Sequence, residues 1–245
     1  MRRYRKSPCE YCEPPLLGRN DGAGVRHSGH GMNLCPQICC GASFGRAACY
    51  IIVLMQHTAH HHSHLNTAGF AHPKRNVAAL HIEPGLVVAD FGSGSGAYVL
   101  AIAEALSGTG KVYAIDVQKD LLRRTMNEAN KKGLTNVHIL WGDLEKENGT
   151  KLSDLSCDLV LISNLLFQVE NKEQVLREAR RILRPRGRLV IIDWQESFGG
   201  MGPIKKHVVD KNTAIAYAEH IGFKFADEFN AGAHHYGIVF RSVNA

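Results

Sequence analysis

The stretch Asp90-Phe91-Gly92-Ser93-Gly94-Ser95-Gly96 stands between a short apolar run, Leu86 to Phe91, and a helix-patterned segment, Tyr98 to Leu106. An apolar run of that length is what a strand buried on both faces requires, and Val99, Ile102, Ala103 and Leu106 share one side of the helix. Glycines between strand and helix let the chain turn sharply and let a ligand approach the backbone without a Cβ in the way. A glycine loop alone is weak evidence for a nucleotide-type cofactor. Its place after the first strand strengthens it, and so does Asp116, twenty residues beyond Gly96 at the end of the next apolar run. A carboxylate there accepts hydrogen bonds from both ribose hydroxyls of an adenosine-type cofactor.

The alternation continues outward from the loop. Val112 to Val117 is a second strand, Asp120 to Lys132 a helix closed by Gly133, Val137 to Trp141 a third strand and Leu159 to Ser163 a fourth. A helix over about 172–183 leads through Pro185-Arg186-Gly187 to a fifth strand, Leu189 to Asp193. Five strands alternating with helices mean right-handed βαβ units and a parallel sheet. On the amino side, Pro73 opens a helix that Glu83-Pro84-Gly85 breaks. Near the carboxyl end, a helix around Thr213 to Ile221 is followed by two strand-like stretches, Phe223 to Phe229 and Tyr236 to Arg241. Only Asn230-Ala231-Gly232-Ala233 joins them, so a hairpin closes the sheet.

The chain has 245 residues, 44% of them hydrophobic and 21% charged, which suits a globular domain with an appendage. Residues 1–65 are the appendage: an irregular, Cys/His-rich tail, with the domain proper over 66–245. Six of the seven cysteines lie before residue 50, and five histidines crowd into His57, His60, His61, His62 and His64. Three readings of this segment compete. It is a disordered tail, or sequence read through from an early start codon with Met32 and Met55 available as later ones. Alternatively Cys9-x2-Cys12 with Cys35-x3-Cys39 holds zinc, or the cysteines form disulfides. The first is favoured, so no metal is assigned, and a chain starting at Met55 is expected to fold.

The net charge of +6 is concentrated in the same segment, which carries +4, and the nearly neutral body argues against a nucleic-acid partner. Arg177, Arg181 and Arg184 follow helical spacing on a solvated face. The apolar run Ile51 to Met55, with Cys49 and Tyr50 just before it, falls far short of the roughly 20 residues of a membrane span. No apolar leader core follows the basic amino terminus, so the expected location is cytoplasmic.

Gly92-x-Gly94-x-x-Ala97 satisfies a permissive dinucleotide fingerprint, which leaves an NAD-dependent reductase open. Asp90 followed by Gly92-x-Gly94-x-Gly96 instead resembles motif I of the class I S-adenosylmethionine (SAM)-dependent methyltransferases. Asp116-Val117 resembles that family's acidic position, Gly142-Asp143-Leu144 its adenine-side motif, and Asn164 its motif IV residue. Leu183-Arg184-Pro185-Arg186-Gly187-Arg188 is similar to the family's turn before strand five, with Arg186 in place of the usual first glycine. The likeness runs over about 70–241 and is greatest to the small ubiquinone/menaquinone-type branch. It is shared with arsenite methyltransferases, but Cys157 alone in the domain does not suit that metalloid.

The resemblance implies a doubly wound, Rossmann-like α/β domain with a seven-stranded sheet in the order 3-2-1-4-5-7-6, strand 7 antiparallel. It implies SAM as cofactor, held by Asp90, Gly92, Ser93, Gly94, Gly96, Asp116, Val117, Asp143, Leu144 and Asn164. Asp90 alternatively only orders the turn, and Trp141 reads as strand packing rather than an adenine stack. The sulfonium methyl is already activated, so transfer chiefly needs a positioned nucleophile. Tyr236, His235 and Asn164 are the catalytic candidates, with Tyr98, His207 and His234 behind them. The loop Gln195 to Lys206, rich in glycine, forms with Phe167, Trp194, Phe198 and Tyr236 an apolar lid over a small-molecule acceptor, quinone-like or aromatic. The remaining alternative is a non-catalytic scaffold that keeps the fold and binds a partner.

Overall fold

The computed structural model describes residues 71–243. The elements are α1 (Pro73–Ala79), β1 (Val87–Phe91), α2 (Ala97–Ala105), β2 (Lys111–Asp116), α3 (Lys119–Lys131), β3 (Val137–Trp141) and β4 (Cys157–Ser163), then α4 (Lys172–Ile182), β5 (Leu183–Trp194), α5 (Lys211–His220), β6 (Phe223–Gly232) and β7 (His235–Ser242), with a 3-10 turn at Lys205–His207 before α5. They build one seven-stranded sheet in the order β3-β2-β1-β4-β5-β7-β6. β1 to β5 pair in parallel, and β7 runs antiparallel to β5 and to β6. This is the expected topology.

Successive side chains of a strand point to opposite faces, and here both faces are covered. Leu159, Leu161, Val190 and Ile192 join α1, α2 and α3 through Val77, Val99, Ile102 and Leu122. Val160, Ile162, Leu189 and Ile191 join α4 and α5 through Leu176, Ile182, Ala214 and Ala218. Side-chain caps fix where the helices begin: Asn171 accepts from Gln174 N at 3.0 Å at the start of α4, and Asp210 accepts from Thr213 N at 2.9 Å before α5.

Three boundaries differ from the sequence reading. β5 starts at Leu183 rather than Leu189, because Leu183 already pairs with Cys157 before the register shifts to Leu159 against Arg188. The Pro185-Arg186-Gly187 turn is absorbed as an irregularity in the strand, with Arg186 in the left-handed region at φ +64°. The closing hairpin is tighter than Asn230 to Ala233: β6 runs to Gly232, which pairs directly with His235. The basic run on α4 is not free either, since Arg181 bonds Glu178 and Asp154 and Arg184 bonds Asp158. The zinc, disulfide and tail readings all fall on residues outside those described.

Candidate active site

The strand order reverses between β1 and β4, and in open sheets of this kind ligands bind in the crevice outside the carboxyl ends at that point. The glycine loop leaves β1 there. Gly92 N and Ser93 N both donate to Ile115 O, at 2.9 and 3.1 Å, which fastens the loop to β2. Asp116, buried at the end of β2, accepts from Gly94 N through Oδ2 at 2.9 Å and from Gln118 N through Oδ1 at 2.8 Å. Each carboxylate oxygen therefore holds one backbone amide and keeps a lone pair for another donor. Gly96 caps α2 with φ +78°, and a Cβ on it would come within 2.4 Å of Thr125 Oγ1 on α3. Only glycine meets both conditions there.

Asp90 lies beneath the loop, buried, and its carboxyl is pushed well above the ordinary range, first by burial and then by the Asp116 carboxylate. The Ser93 hydroxyl is also buried and has no hydrogen-bond partner. On the β3 side, Val117 and Asp143 are exposed and Leu144 is buried, and Asp143 Oδ1 accepts from Glu145 N at 3.0 Å. Trp141 overturns the packing expectation. Its ring is half exposed, Nε1 donates to Val117 O at 3.0 Å, and the ammonium groups of Lys119 and Lys151 stand 4.3 and 4.6 Å from the ring centroid.

After β4, Asn164 adopts φ +52° while its amide donates to Ile192 O at 2.8 Å; its side-chain Oδ1 is buried and unpartnered. The next two residues are held by Asp193, a buried carboxylate at the end of β5 that accepts from Leu166 N at 2.9 Å and Trp194 N at 2.8 Å. Burial pushes this carboxyl up to about 7, against the pull of those amides and that of Leu165. Its placement across two strand ends makes it a positioning residue for the Asn164 segment. Unlike Asp116, it has no glycine loop at a fixed distance to mark it as a site residue in the sequence.

The hairpin side carries the other candidates. His235 pairs with Trp194 in register, and their ring centroids lie 4.3 Å apart. His235 Nδ1 is buried without a partner, and burial, then the neighbouring His234, pulls its ring down to about 4. Tyr236 does not suit the role of base: its buried hydroxyl donates to Val209 O at 2.9 Å, and burial raises the phenol further. His234 packs on the loop over residues 195–206, with Nδ1 3.0 Å from Glu196 Oε1 and its ring stacked on Phe198 at 3.7 Å. The same loop packs on Trp194 at Gly202, where φ is +71° and a Cβ would meet the indole at 2.6 Å. His207 sits exposed on the 3-10 turn.

Helix α1 closes this side in a way no local pattern announces. Asn76 Nδ2 donates both to Tyr98 Oη at 2.9 Å and to Ala231 O at 3.0 Å. Tyr98 in turn lies beside the side chain of Ser163, the residue before Asn164. A cavity of about 310 Å³ opens elsewhere, at the amino ends of the strands among Glu83, Arg184, Arg186 and Arg188.

This fold is that of the class I SAM-dependent methyltransferases, and the comparisons agree. A family model described as a methyltransferase domain matches residues 82–221, so the chain belongs to that family, in its class I, SAM-dependent form. It is 33% identical over 118 residues to the ubiquinone/menaquinone biosynthesis C-methyltransferase of Hydrogenovibrio crunogenus, covering 47% of this chain and 44% of that protein. The same-named protein of Burkholderia cenocepacia is 28% identical over 130 residues, 53% of this chain and 51% of that protein. The chain thus spans about half the length of these curated relatives. A SAM-dependent methyltransferase from Aquifex aeolicus superposes with a TM-score of 0.64 at 26% identity, covering 70% of this chain and 89% of that one. Among the described residues no helix is long and apolar enough to cross a membrane.

Proposed function

We propose that this chain transfers the methyl group of SAM to a small apolar acceptor, aromatic or quinone-like. One observation carries the reading. Asp116, with each carboxylate oxygen already set by a backbone amide, stands at a crevice whose far side is the lid-covered Trp194–His235 pair. Asp116 would hold the ribose hydroxyls, and the unpartnered Ser93 hydroxyl and Asn164 Oδ1 offer further polar contacts to the cofactor. Val117 and Leu144 would flank its base. SAM, once bound, supplies an electrophilic methyl that needs no further activation.

What remains for the protein is placement and dryness. The lid loop and the buried aromatic pair at Trp194 exclude water from the transfer path. His235, kept neutral by burial, is the ring nitrogen available to take a proton from an acceptor oxygen or acidic carbon; Tyr236, its hydroxyl donated to Val209, supports the wall. The experiment is calorimetry with SAM, S-adenosylhomocysteine and NAD. Asp116→Ala is expected to weaken SAM binding tenfold or more while the fold persists, since hydrogen bonds to a charged group contribute roughly 1.5–3 kcal/mol. Unchanged SAM affinity in the folded variant, or NAD binding in place of SAM, would overturn the reading.

A further inference from the structure

We propose that the cavity at the amino ends of the strands is an anion site that takes the phosphate group of a small phosphorylated molecule. It stands apart from the methyl-transfer crevice, which lies at the opposite ends of the same parallel strands, and does not depend on that reaction.

The cavity, about 310 Å³, opens where β1, β4 and β5 begin and β7 ends. Ligand pockets span roughly 300–1,000 Å³, so this one suits a small group. Its charged lining sets Arg184, Arg186, Arg188 and Arg241 against Glu83 and Asp158. Four guanidiniums against two carboxylates leave an excess of two positive charges, the charge of one phosphate dianion. Arg184 is matched, with Nη1 2.6 Å from Asp158 Oδ1. Among the described residues Arg186, Arg188 and Arg241 make no ion pair. Backbone carbonyls tether two of them instead: Arg188 Nη1 donates to Leu80 O at 2.7 Å, and Arg241 Nη1 to Arg186 O at 3.3 Å. A guanidinium carries five N–H donors, so each tether leaves most of its fork for a ligand.

Three features of this cluster work against stability until a counter-charge fills it. Arg188 and Arg241 stand directly opposite each other in the β5–β7 register, and like charges so placed repel. Arg188 is also half-buried, and burial, then the Arg241 charge, press its guanidinium below the ordinary range, while Glu83 pulls the other way. Arg186 keeps φ +64°, a conformation in which glycine is at ease and an arginine is strained. A phosphate answers the repulsion directly. Its oxygens match a guanidinium fork two at a time, and one phosphate reaches two forks at once. A single carboxylate would leave half of the excess charge unmet. A nucleic-acid strand needs a basic stripe along which successive phosphates lie, whereas these arginines line one small cavity in a body that is nearly neutral. A terminal phosphate fits.

The test is calorimetry on the full chain with inorganic phosphate and with phenyl phosphate, the ionic strength held constant with sodium chloride so that general screening does not count as binding. Saturable one-to-one binding of either probe is the expected result. Tighter binding of phenyl phosphate marks an ester as the source of the group, and tighter binding of inorganic phosphate marks the free ion. Arg186→Gly suits φ +64° and so keeps the fold; it should weaken the tighter probe about tenfold, the scale of one lost hydrogen bond to a charged group. Arg241→Gln should weaken it about as much. In a thermal melt the same probe should raise the wild-type Tm and leave that of Arg241→Gln where it is. Saturating S-adenosylhomocysteine should change the probe's affinity by less than about twofold, because the two sites are separate. No saturable binding by the wild type, unchanged affinity in either folded variant, or displacement of the probe by S-adenosylhomocysteine would each overturn the assignment. So would a single-stranded oligonucleotide that binds more tightly than both probes and is weakened by the same substitutions.

Discussion

The two halves of the crevice are built by opposite means. On the cofactor side the backbone does the holding: amides of the glycine loop fasten to Ile115 O, and Gly94 and Gln118 amides set the Asp116 carboxylate. On the side proposed for the acceptor the holding passes to side chains, with Asn76, Tyr98, Trp194, His235 and Tyr236 drawn from four separate elements. A half fixed by backbone hydrogen bonds leaves one side chain, Asp116, to meet the cofactor. A half made of side chains is where preference for one substrate over another is written. The family match, 82–221, contains the glycine loop, Asp116, Tyr98 and Trp194 but not Asn76, His235 or Tyr236.

If this division holds, damage to one half leaves the other intact. Trp194→Ala should produce the largest effect: about 3–5 kcal/mol of lost stability from the cavity, and a fall in turnover, with SAM affinity nearly unchanged. A denaturant melt with parallel calorimetry checks it, and a matching loss of SAM binding would break the comparison.

Next comes acid. The His235 ring takes up a proton near 6.5 in the unfolded chain but only near 4 in the folded one, so folding disfavours the charged form. The stability it contributes is fully present above pH 6.5 and is lost as pH falls toward 4, by up to about 3 kcal/mol. His235→Gln should flatten that part of the stability–pH curve, and an unchanged slope would mean that the ring is not dry. The smallest expected effect is that of Tyr236→Phe, which removes one buried donation to Val209 and should cost about 1 kcal/mol with a modest drop in turnover. Its SAM affinity should match the wild type, and activity equal to wild type would move the acceptor wall elsewhere.

The same division explains what was legible beforehand. The parallel strands, the closing hairpin and the places of Asp90 and Asp116 follow from local runs, namely apolar stretches of strand length, a glycine loop and a carboxylate at a fixed distance; the strand order, the antiparallel seventh strand and the place of Asn164 follow from the family resemblance. Trp141 was misjudged because an indole ending an apolar run looks like strand packing, whereas the two lysines and the Val117 carbonyl that hold it outside come from other segments. Tyr236 looked like a free phenol because nothing near it in sequence announces the Val209 carbonyl, 27 residues earlier. Asn76 had no signature at all: one asparagine in a seven-residue helix gains meaning only from its contact with the hairpin.

That contact has a consequence for the order of assembly. Asn76 and Ala231 are 155 residues apart, so one of the first described segments to be synthesised is fixed by one of the last. Closing so long a loop is slow, and native contacts of large sequence separation delay folding. Domains acquire structure from the amino end as the chain emerges, yet α1, although it packs on α2, gains its Asn76 bond to Ala231 only when β6 has joined the edge of the sheet. The glycine loop and Asp116, by contrast, need only the neighbouring strands. Hydrogen exchange during refolding should therefore protect the Asp116 amides early and those of α1 late, with the acceptor site maturing last.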